Sequence, residues 1–330
     1  MADLKLLITG GAGFIGSNLV RFLLRERAEV EVVNLDLLTY AGSTANLEAI
    51  EEDPRYTFVH GDICDGPLVL EVMRGVDAVV NLAAESHVDR SIRHPAPFIR
   101  TNVVGTQVLL DAAWAEGVSR FVQISTDEVY GELPWVDPEL NDPLRSRFSE
   151  NSPLHPRSPY SASKAAADLL VLSYFATYGM DVVIPRSSNN FGPNQYPEKL
   201  IPLMVGRALK GESLPVYGDG LHVRDWIAVE DFCSGILAAL EKGRSGEVYN
   251  FGGDAERTNL QVIRTILRTL GASEGLIEFV ADRPGHDRRY AMDFSKAKRE
   301  LGWEPSADFE AELSRTVAWF RERPEDGVQA

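Results

Sequence analysis

Two residue pairs have the types and spacing that proton transfer beside a redox centre requires. Tyr160 and Lys164 lie four residues apart in SPYSASKAAADLL, on one face at the start of a predicted helix. A phenolate can take the proton of an alcohol while hydride leaves, but free tyrosine has a pKa of about 10. We expect the Lys164 ammonium and an oxidised nicotinamide to lower the pKa of Tyr160 by roughly three units. On its own, the pair is more typical of an ordinary amphipathic helix.

The second pair is Asp127 and Glu128 in VQISTDEVYGE, where an apolar strand meets a loop. Ser125 and Thr126 offer hydroxyl partners for alcohol oxidation at this strand end, and the two carboxyls are surplus to hydride transfer, so they indicate a further proton transfer. Neighbouring side chains of a strand point to opposite faces, so the strand must end near Ser125 for both acids to reach one substrate. Close carboxyls in a partly dry site titrate apart into a base and an acid, which suits removal of water beside a new ketone. The alternative is a solvated acidic turn.

A dinucleotide fingerprint precedes both pairs. In LLITGGAGFIGSNLV, Gly10, Gly13 and Gly16 follow a strand and open a helix, where a pyrophosphate must approach backbone amides without an intervening Cβ. Asp36 ends the next strand about 20 residues further on, placed to accept hydrogen bonds from an adenosine ribose. Because a carboxylate repels a 2′-phosphate, Asp36 favours NAD over NADP.

The elements that must position these residues alternate in type along the first half of the chain. Apolar runs predict strands at 5–10, 30–36, 57–62, 78–84 and 120–126, and the segment 181–193 predicts a further strand that runs into a Pro- and Asn-containing loop. Helical spacing predicts helices at 16–27, 102–117 and 161–179, with Gly179 as a C-cap. This order is typical of an α/β, Rossmann-type doubly wound parallel sheet. Shorter elements follow, with helices at 228–242, 259–271 and 306–322 and a long polar loop at 136–152.

The predicted organisation is a NAD-binding Rossmann domain at 1–185 and a smaller, mainly substrate-binding C-terminal region at 186–330. This division allows segments of one region to pack in the other. The substrate expected for the second region is a sugar nucleotide.

Composition narrows the class of protein. A net charge of −16 over 330 residues argues against a nucleic-acid partner, although a local cationic cluster can still bind a small anion. Cys64 and Cys233 are not in metal-ligand spacing, and we expect both to be buried, with no metal site. MADLKLLITG leaves no room for a signal peptide, and no apolar run is long enough to span a membrane. These features predict a soluble, cytoplasmic protein.

Seven motifs together carry a family resemblance. TGGAGFIGSN, LAAESHVDRSI, STDEVYG, YSASKAAAD, SNNFGPNQYPEKLIP, YGDGLHVRDWI and DRPGHDRRYAMD resemble the dTDP-glucose 4,6-dehydratase family of the extended short-chain dehydrogenase/reductase superfamily, over about residues 4–304. STDEVYG discriminates most, because epimerases and decarboxylases of the superfamily lack the Asp-Glu pair. The resemblance implies an NAD-dependent lyase of deoxysugar biosynthesis that is a homodimer joined through helices packed as a four-helix bundle.

The resemblance also implies a role for each catalytic residue. Tyr160 starts oxidation at C4 of the glucosyl group, assisted by Lys164 and Thr126, with NAD taking the hydride. Glu128 removes the C5 proton and Asp127 protonates the departing C6 hydroxyl. Hydride then returns to C6, giving dTDP-4-keto-6-deoxyglucose.

Binding residues follow from the same resemblance. The expected NAD contacts are Gly10, Gly13, Phe14, Ile15, Gly16, Asp36, Asp62, Ile63, Leu82, Ala84, Ser86, Thr101, Tyr160, Lys164 and Asn190. The expected substrate contacts are His87, Thr126, Asp127, Glu128, Asn189, Lys199, Leu200, Tyr217, Arg224, Asn259, Arg283, His286 and Tyr290. Arg224 and Arg283 are the forked donors that a diphosphate needs.

Some positions depart from the family pattern, and other functions stay open. Leu37 stands where the family often has Lys, Phe191 replaces a common Tyr, and the segment 133–149 differs. The alternatives are a UDP-glucose 4,6-dehydratase, another NAD-dependent sugar-nucleotide epimerase or dehydratase, and a non-catalytic NAD-binding regulator. The Asp-Glu pair argues against an epimerase, whereas the residues do not decide the nucleobase.

Overall fold

The computed structural model describes residues 4–137 and 146–323. Its strands are β1 (Leu4–Thr9), β2 (Val30–Asp36), β3 (Tyr56–His60), β4 (Ala78–Asn81), β5 (Arg120–Gln123), β6 (Ser125–Thr126), β7 (Val182–Ser187), β8 (Asn189–Phe191), β9 (Leu214–Tyr217), β10 (Val223–Ala228), β11 (Glu247–Phe251), β12 (Glu256–Thr258) and β13 (Ile277–Val280). Its helices are α1 (Phe14–Glu26), α2 (Gly66–Met73), α3 (Val88–Arg93), α4 (Ala96–Phe98), α5 (Thr106–Ala115), α6 (Pro159–Tyr178), α7 (Leu200–Lys210), α8 (Val229–Lys242), α9 (Asn259–Leu270), α10 (Ser295–Leu301) and α11 (Phe309–Glu322).

The larger layer is an eight-stranded parallel sheet. Its strands run in the order β11-β7-β5-β4-β1-β2-β3, and the two-residue β6 pairs with β7. Alternation along each strand divides the apolar side chains between the two faces: Leu6 and Ile8 pack with α1 and α8, whereas Leu7 packs with α5 and α6. Helices therefore cover both faces, and the predicted α/β, doubly wound fold is confirmed.

The chain crosses between the two regions after β7. Strand β11 returns from the C-terminal half to pair with β7, and α8 packs against α1 on one face of the sheet. The remaining C-terminal elements form their own core, with α7, α9 and α11 around the three-stranded sheet β12-β10-β8 and the pair β13-β9. This second layer lies beside the carboxyl ends of the main strands, since β8 continues directly from β7.

Two predicted elements differ in detail. The strand predicted at the start of 181–193 is β7, but the loop predicted after it contains the short strand β8, which leaves the main sheet to pair with β10. The predicted helix 102–117 begins as a π-helical stretch, Ile99–Gly105, and becomes α-helical at Thr106. Within the stretch, the Asn102 amide donates to both Ser163 and the Glu85 carbonyl, which ties it to α6 and to the loop after β4.

Three smaller expectations have different outcomes. Gly179 caps α6 in the left-handed conformation, with φ of 68°, as predicted. Cys233 is buried as predicted, but Cys64 is partly exposed, so the prediction that both are buried is wrong for Cys64. Cys64 lies on the turn after β3, with its Sγ 3.3 Å from the Arg100 carbonyl oxygen. Residues 138–145 of the predicted loop 136–152 lie outside the described residues. No helix of residues 4–137 or 146–323 has the length and apolarity needed to cross a membrane.

Candidate active site

A cleft runs along the carboxyl ends of the parallel strands. It has a volume of about 320 Å³ and is lined by the loops that follow β1, β2, β3, β4, β6 and β8. Parallel sheets bring the carboxyl ends of their strands to one edge, which explains why segments distant in sequence meet here. Residues of both sequence regions, such as Asp36 and Lys199, contribute to its walls.

The glycine loop after β1 forms a cradle that side chains would fill. Gly10 has a φ of +71°, and a Cβ there would lie 2.7 Å from the Ala83 nitrogen. A Cβ on Gly16 would lie 2.1 Å from the Gly10 carbonyl, so only glycine permits this tight turn into α1. Gly13 is the N-cap of α1 and lines the cleft, so the helix N-terminus faces the cleft. No side chain of the described residues caps this end of the helix. These residues fit a pyrophosphate.

Asp36 ends β2 as the sequence predicts, and its carboxylate organises the same loop. One oxygen accepts from the Ala12 amide and the other from the Leu38 amide, each at 2.8 Å. Burial raises the pKa of Asp36, and the two amide hydrogen bonds oppose the rise. Each oxygen retains a lone pair, so the carboxylate can also accept from a ribose hydroxyl.

Every residue predicted from the family resemblance to contact the cofactor lines this cleft. The set comprises Gly10, Gly13, Phe14, Ile15, Gly16, Asp36, Asp62, Ile63, Leu82, Ala84, Ser86, Thr101, Tyr160, Lys164 and Asn190. The departure at Leu37 also lies on the cleft wall, where its side chain is exposed.

The acid pair stands on a tight turn at the end of the sheet. Strand β6 ends at Thr126, and Asp127–Tyr130 form a 3₁₀ turn capped by the Thr126 hydroxyl, which accepts from the Glu128 amide at 3.3 Å. The strand therefore ends where both acids require it to end. Gly131 closes the turn with a φ of 85°, and a Cβ there would meet the His155 carbonyl at 2.5 Å.

The two carboxyls have different surroundings. Asp127 is 2% exposed, and its Oδ2 has no hydrogen-bond partner among the described residues. Burial and the neighbouring Glu128 and Asp225 charges raise the pKa of Asp127 well above its usual range. Burial also raises the pKa of Glu128, but Arg283 and other cations oppose that rise. The pKa of Asp127 is therefore raised more strongly than that of Glu128, which favours Asp127 as the acid and Glu128 as the base.

Tyr160 and Lys164 lie in the first turns of α6, which begins with a capping box formed by Ser158 and Ser161. Lys164 donates to the Ile124 carbonyl at 2.5 Å, at the break between β5 and β6, and burial lowers the pKa of Lys164 to about 8. The pKa of Tyr160 is raised rather than lowered. The prediction that Lys164 lowers the pKa of Tyr160 is therefore wrong for the protein without its cofactor. The causes of the raised pKa are burial and the nearby Glu128 charge, while the Thr126 hydroxyl opposes them.

The predicted substrate residues fall into two adjoining groups. Thr126, Asp127, Glu128, Asn189 and Lys199 line the cleft itself. The others, which do not line it, are His87, Leu200, Tyr217, Arg224, Asn259, Arg283, His286 and Tyr290. The groups are electrostatically linked, because Arg283, Arg224 and Lys199 all act on the Glu128 carboxylate.

The two arginines of the second group are already engaged within the protein. Arg224 donates to the Val223 and Asp287 carbonyls at 2.8 and 2.9 Å, and its guanidinium stacks 4.5 Å from the Tyr290 ring. Arg283 pairs with Asp89 at 3.1 Å, and its Nε is buried with no partner among the described residues. Both hold positive charge beside the cleft of an acidic protein.

A histidine pair adjoins these arginines. His222, Asp282 and His286 bring three ligand-type atoms within 4.8 Å of one another. The two rings stack with centroids 3.7 Å apart at an angle of 13°, so a metal ion could not lie in both ring planes, where the imidazole lone pairs are. Burial, Arg224 and Arg283 lower the pKa of His286, so the surroundings favour an anion over a cation.

Comparisons with known proteins agree with this geometry. The family model described as GDP-mannose 4,6 dehydratase matches residues 7–316. The chain belongs to this family. It is 53% identical to the low-salt glycan biosynthesis protein Agl12 of Haloferax volcanii, covering 96% of this chain and 98% of that protein. It is 49% identical to the dTDP-glucose 4,6-dehydratase of an Actinoplanes species, with the same two coverages.

A solved structure extends the match to three dimensions. DesIV, a dTDP-glucose 4,6-dehydratase of Streptomyces venezuelae crystallised with NAD and dTDP, superposes with a TM-score of 0.93 at 50% identity, covering 98% of both chains. The predicted resemblance to the dTDP-glucose 4,6-dehydratases is therefore confirmed.

Within this member of the 4,6-dehydratase family, sequence reasoning missed several residues that line the cleft. Glu85, Gln195, Tyr196 and Glu198 were not predicted. Glu85 and Glu198 stand directly beside the predicted Ser86 and Lys199, so the signal was present in AAESH and YPEKL. Burial raises the pKa of both glutamates.

Proposed function

We propose that the protein is a dTDP-glucose 4,6-dehydratase, which converts dTDP-glucose into dTDP-4-keto-6-deoxyglucose and water. The observation that carries the proposal is the Asp127–Glu128 pair on the turn after β6, in the same cleft as Tyr160 and the glycine cradle. Oxidation alone needs neither acid. A buried acid beside an ionisable base supports elimination of water from the substrate.

NAD is the proposed cofactor, and the glycine loop and Asp36 are the groups that would hold it. When bound, NAD would supply the hydride acceptor for oxidation at C4 and, in its reduced form, the hydride donor for C6. Its positive ring would also counter the groups that raise the pKa of Tyr160. The Asp36 carboxylate favours NAD over NADP, because it would repel a 2′-phosphate.

The chain's own residues would then move the protons. Tyr160 takes the proton of the C4 hydroxyl, with the Thr126 hydroxyl beside it and Lys164 held charged near the strand break. Once C4 is a ketone, the C5–H bond is acidic and Glu128 removes that proton. Asp127 gives its proton to the C6 oxygen as the C6–O bond breaks, so one water leaves and a C5–C6 double bond remains. When hydride is added at C6, Glu128 returns its proton to C5, which completes the 4-keto-6-deoxy sugar. The proton that Tyr160 took from the C4 hydroxyl balances the one that Asp127 gave.

The second region is proposed to hold the nucleotide part of the substrate. Residues 1–185 would bind NAD and residues 186–330 would mainly bind dTDP-glucose, at Asn189, Lys199, Leu200, Tyr217, Arg224, Asn259, Arg283, His286 and Tyr290. His87 of the first region would also contact the substrate. The lowered pKa of His87, to about 4 through burial and Lys199, supports a cationic surrounding that suits a diphosphate.

One incubation tests the function. Purified protein with dTDP-glucose should give a product lighter by one water, whose 4-keto group absorbs in alkali, and UDP-glucose in parallel should react more slowly. An unchanged mass would indicate an epimerase, and faster turnover of UDP-glucose would indicate a UDP-glucose 4,6-dehydratase. The Asp127→Asn/Glu128→Gln variant is the matched control, since it should bind NAD and yet release no dehydrated product.

We further propose a homodimer joined through α5 and α6. The large apolar side chains of Trp114, Leu169, Phe175 and Tyr178 are between 39% and 59% exposed on these helices, with the Trp114 and Tyr178 rings 5.2 Å apart. Contiguous exposed apolar surface of this kind is typical of protein interfaces. Light scattering should give twice the chain mass, and Leu169→Glu should give the monomer. The use of NAD and a nucleotide sugar, which are cytoplasmic metabolites, supports a cytoplasmic location.

A further inference from the structure

A buried ion pair lies directly behind the catalytic turn. Arg186 on β7 and Asp168 on α6 meet at 2.9 Å, and their side chains are 3% and 0% exposed. Removing two charges from water costs several kcal/mol per ion, so such a pair is often no more stabilising than apolar residues of similar size. Its contacts therefore matter more than its net contribution to stability.

Asp168 holds the N-terminal end of the turn. Its Oδ2 accepts from the Ser125 hydroxyl at 2.9 Å, on the same atom that accepts from Arg186. One helical turn earlier, Lys164 bonds the Ile124 carbonyl. Helix α6 therefore fixes the two residues that immediately precede Thr126.

Arg186 holds the C-terminal end of the same turn. Its Nη1 donates to the Tyr130 hydroxyl at 2.9 Å, and that hydroxyl donates to Asn250 Oδ1 at 2.8 Å. The Tyr130 ring also stacks on Phe148, with centroids 5.0 Å apart. One guanidinium thus joins Asp168 through Nε and Tyr130 through Nη1, which a single ammonium cannot reproduce in the same geometry.

We propose that the Asp168–Arg186 pair is a positioning element that holds both ends of the Asp127–Tyr130 turn, so that the acid and base face the reacting carbons during elimination. The proposal rests on the proposed function and adds residues that touch neither substrate nor cofactor. Tyr160 stands on α6 and not on this turn, so loss of the tether at Tyr130 should slow loss of water more than oxidation at C4.

Tyr130→Phe tests the tether, and Tyr249→Phe is its matched control. Tyr249 is also fully buried, and its hydroxyl likewise makes two hydrogen bonds, accepting from the Arg244 amide and donating to Glu300. In single turnovers of the NAD-loaded enzyme with dTDP-glucose, Tyr130→Phe should slow water loss about 10- to 100-fold and let NADH accumulate, because small displacements of catalytic groups have effects of this size. Tyr249→Phe should lower the melting temperature and leave both steps unchanged.

Two further measurements distinguish a positioning role of the tether from a general loss of stability. Amide hydrogen exchange of residues 127–131 should be faster in Tyr130→Phe than in the wild type and unchanged in Tyr249→Phe, whatever the substrate. Arg186→Lys, which keeps the charge and loses the fork, should repeat the kinetic pattern of Tyr130→Phe. A wild type that gives no dehydrated product would overturn the proposed function alone. Equal slowing of both steps in Tyr130→Phe, or unchanged exchange in the turn, would overturn the positioning role.

Discussion

Replacing Glu128 by Gln separates the two halves of the proposed reaction. The amide has nearly the same shape as the carboxyl and keeps its place on the turn after Thr126, but it cannot accept a proton. In the wild type, Arg283, Arg224 and Lys199 oppose the burial that raises the pKa of Glu128, and so favour the ionised base. The substitution also removes a charge that raises the pKa of Tyr160, so oxidation at C4 should persist.

The size of the effect follows from the single proton transfer that is lost. A positioned general base contributes about 10²- to 10⁴-fold to a rate, which corresponds to about 3–5 kcal/mol in the activation free energy. The rate of oxidation should change far less, because Tyr160 and Lys164 are intact. Reduced cofactor should therefore accumulate within one turnover, before any water is lost.

Stopped-flow absorbance of NADH and quenched mass spectrometry measure the two steps in the same mixture. Glu128→Gln should show a NADH burst and a product that loses water slowly, with little exchange of the C5 hydrogen in D₂O. Glu128→Asp, which retains a carboxylate on a shorter stem, is the control and should recover part of the elimination rate. Normal turnover of Glu128→Gln without NADH would refute the assignment of Glu128 as the C5 base.

Three further outcomes are expected. Since burial lowers the pKa of Lys164 to about 8, kcat/KM should fall as pH rises through about 8, and Lys164→Arg should lose this limb because its guanidinium does not titrate. Tyr160→Phe should bind NAD normally by calorimetry but form neither NADH nor product, with oxidation at least about 10²-fold slower. Burial raises the pKa of Asp225 from 3.8 to about 6, so its contribution to stability is present below about pH 4 and lost as pH rises through 6. The whole loss is about 3 kcal/mol, and about 1.4 kcal/mol of it falls above pH 5. From pH 5 to 8 the melting temperature of Asp225→Asn should therefore rise relative to wild type by the equivalent of about 1.4 kcal/mol.

The parts of the site that depend on local chemistry were predictable from the sequence. The glycine loop, the carboxylate ending β2 and the Tyr-Lys spacing each follow from short segments whose backbone needs are specific. The end of the strand near Ser125 was also predictable, since two adjacent acids cannot otherwise share one substrate.

The parts that depend on contacts distant in sequence were not. The Asp168–Arg186 pair joins α6 to β7, and the stacked His222 and His286 come from separate loops, so no periodicity reveals either. The direction of the Tyr160 pKa shift was missed for the same reason, because it is set by burial and by Glu128, whose proximity appears only in the folded chain.

The pairing of β11 with β7 has a consequence for how the polypeptide is made. Residues 1–187 would leave the ribosome well before Glu247–Phe251 was synthesised, so β7 would present an unpaired edge along Val182–Ser187, a strand whose six residues are all buried in the folded protein. Until α8 had also been synthesised, Leu6 and Ile8 would lack the side chains of α8 that pack with them in the folded protein. A nascent chain halted near residue 185 should therefore bind chaperones and should not form a stable folded fragment. Folding of the sheet should be complete only after the second half of the chain has been synthesised.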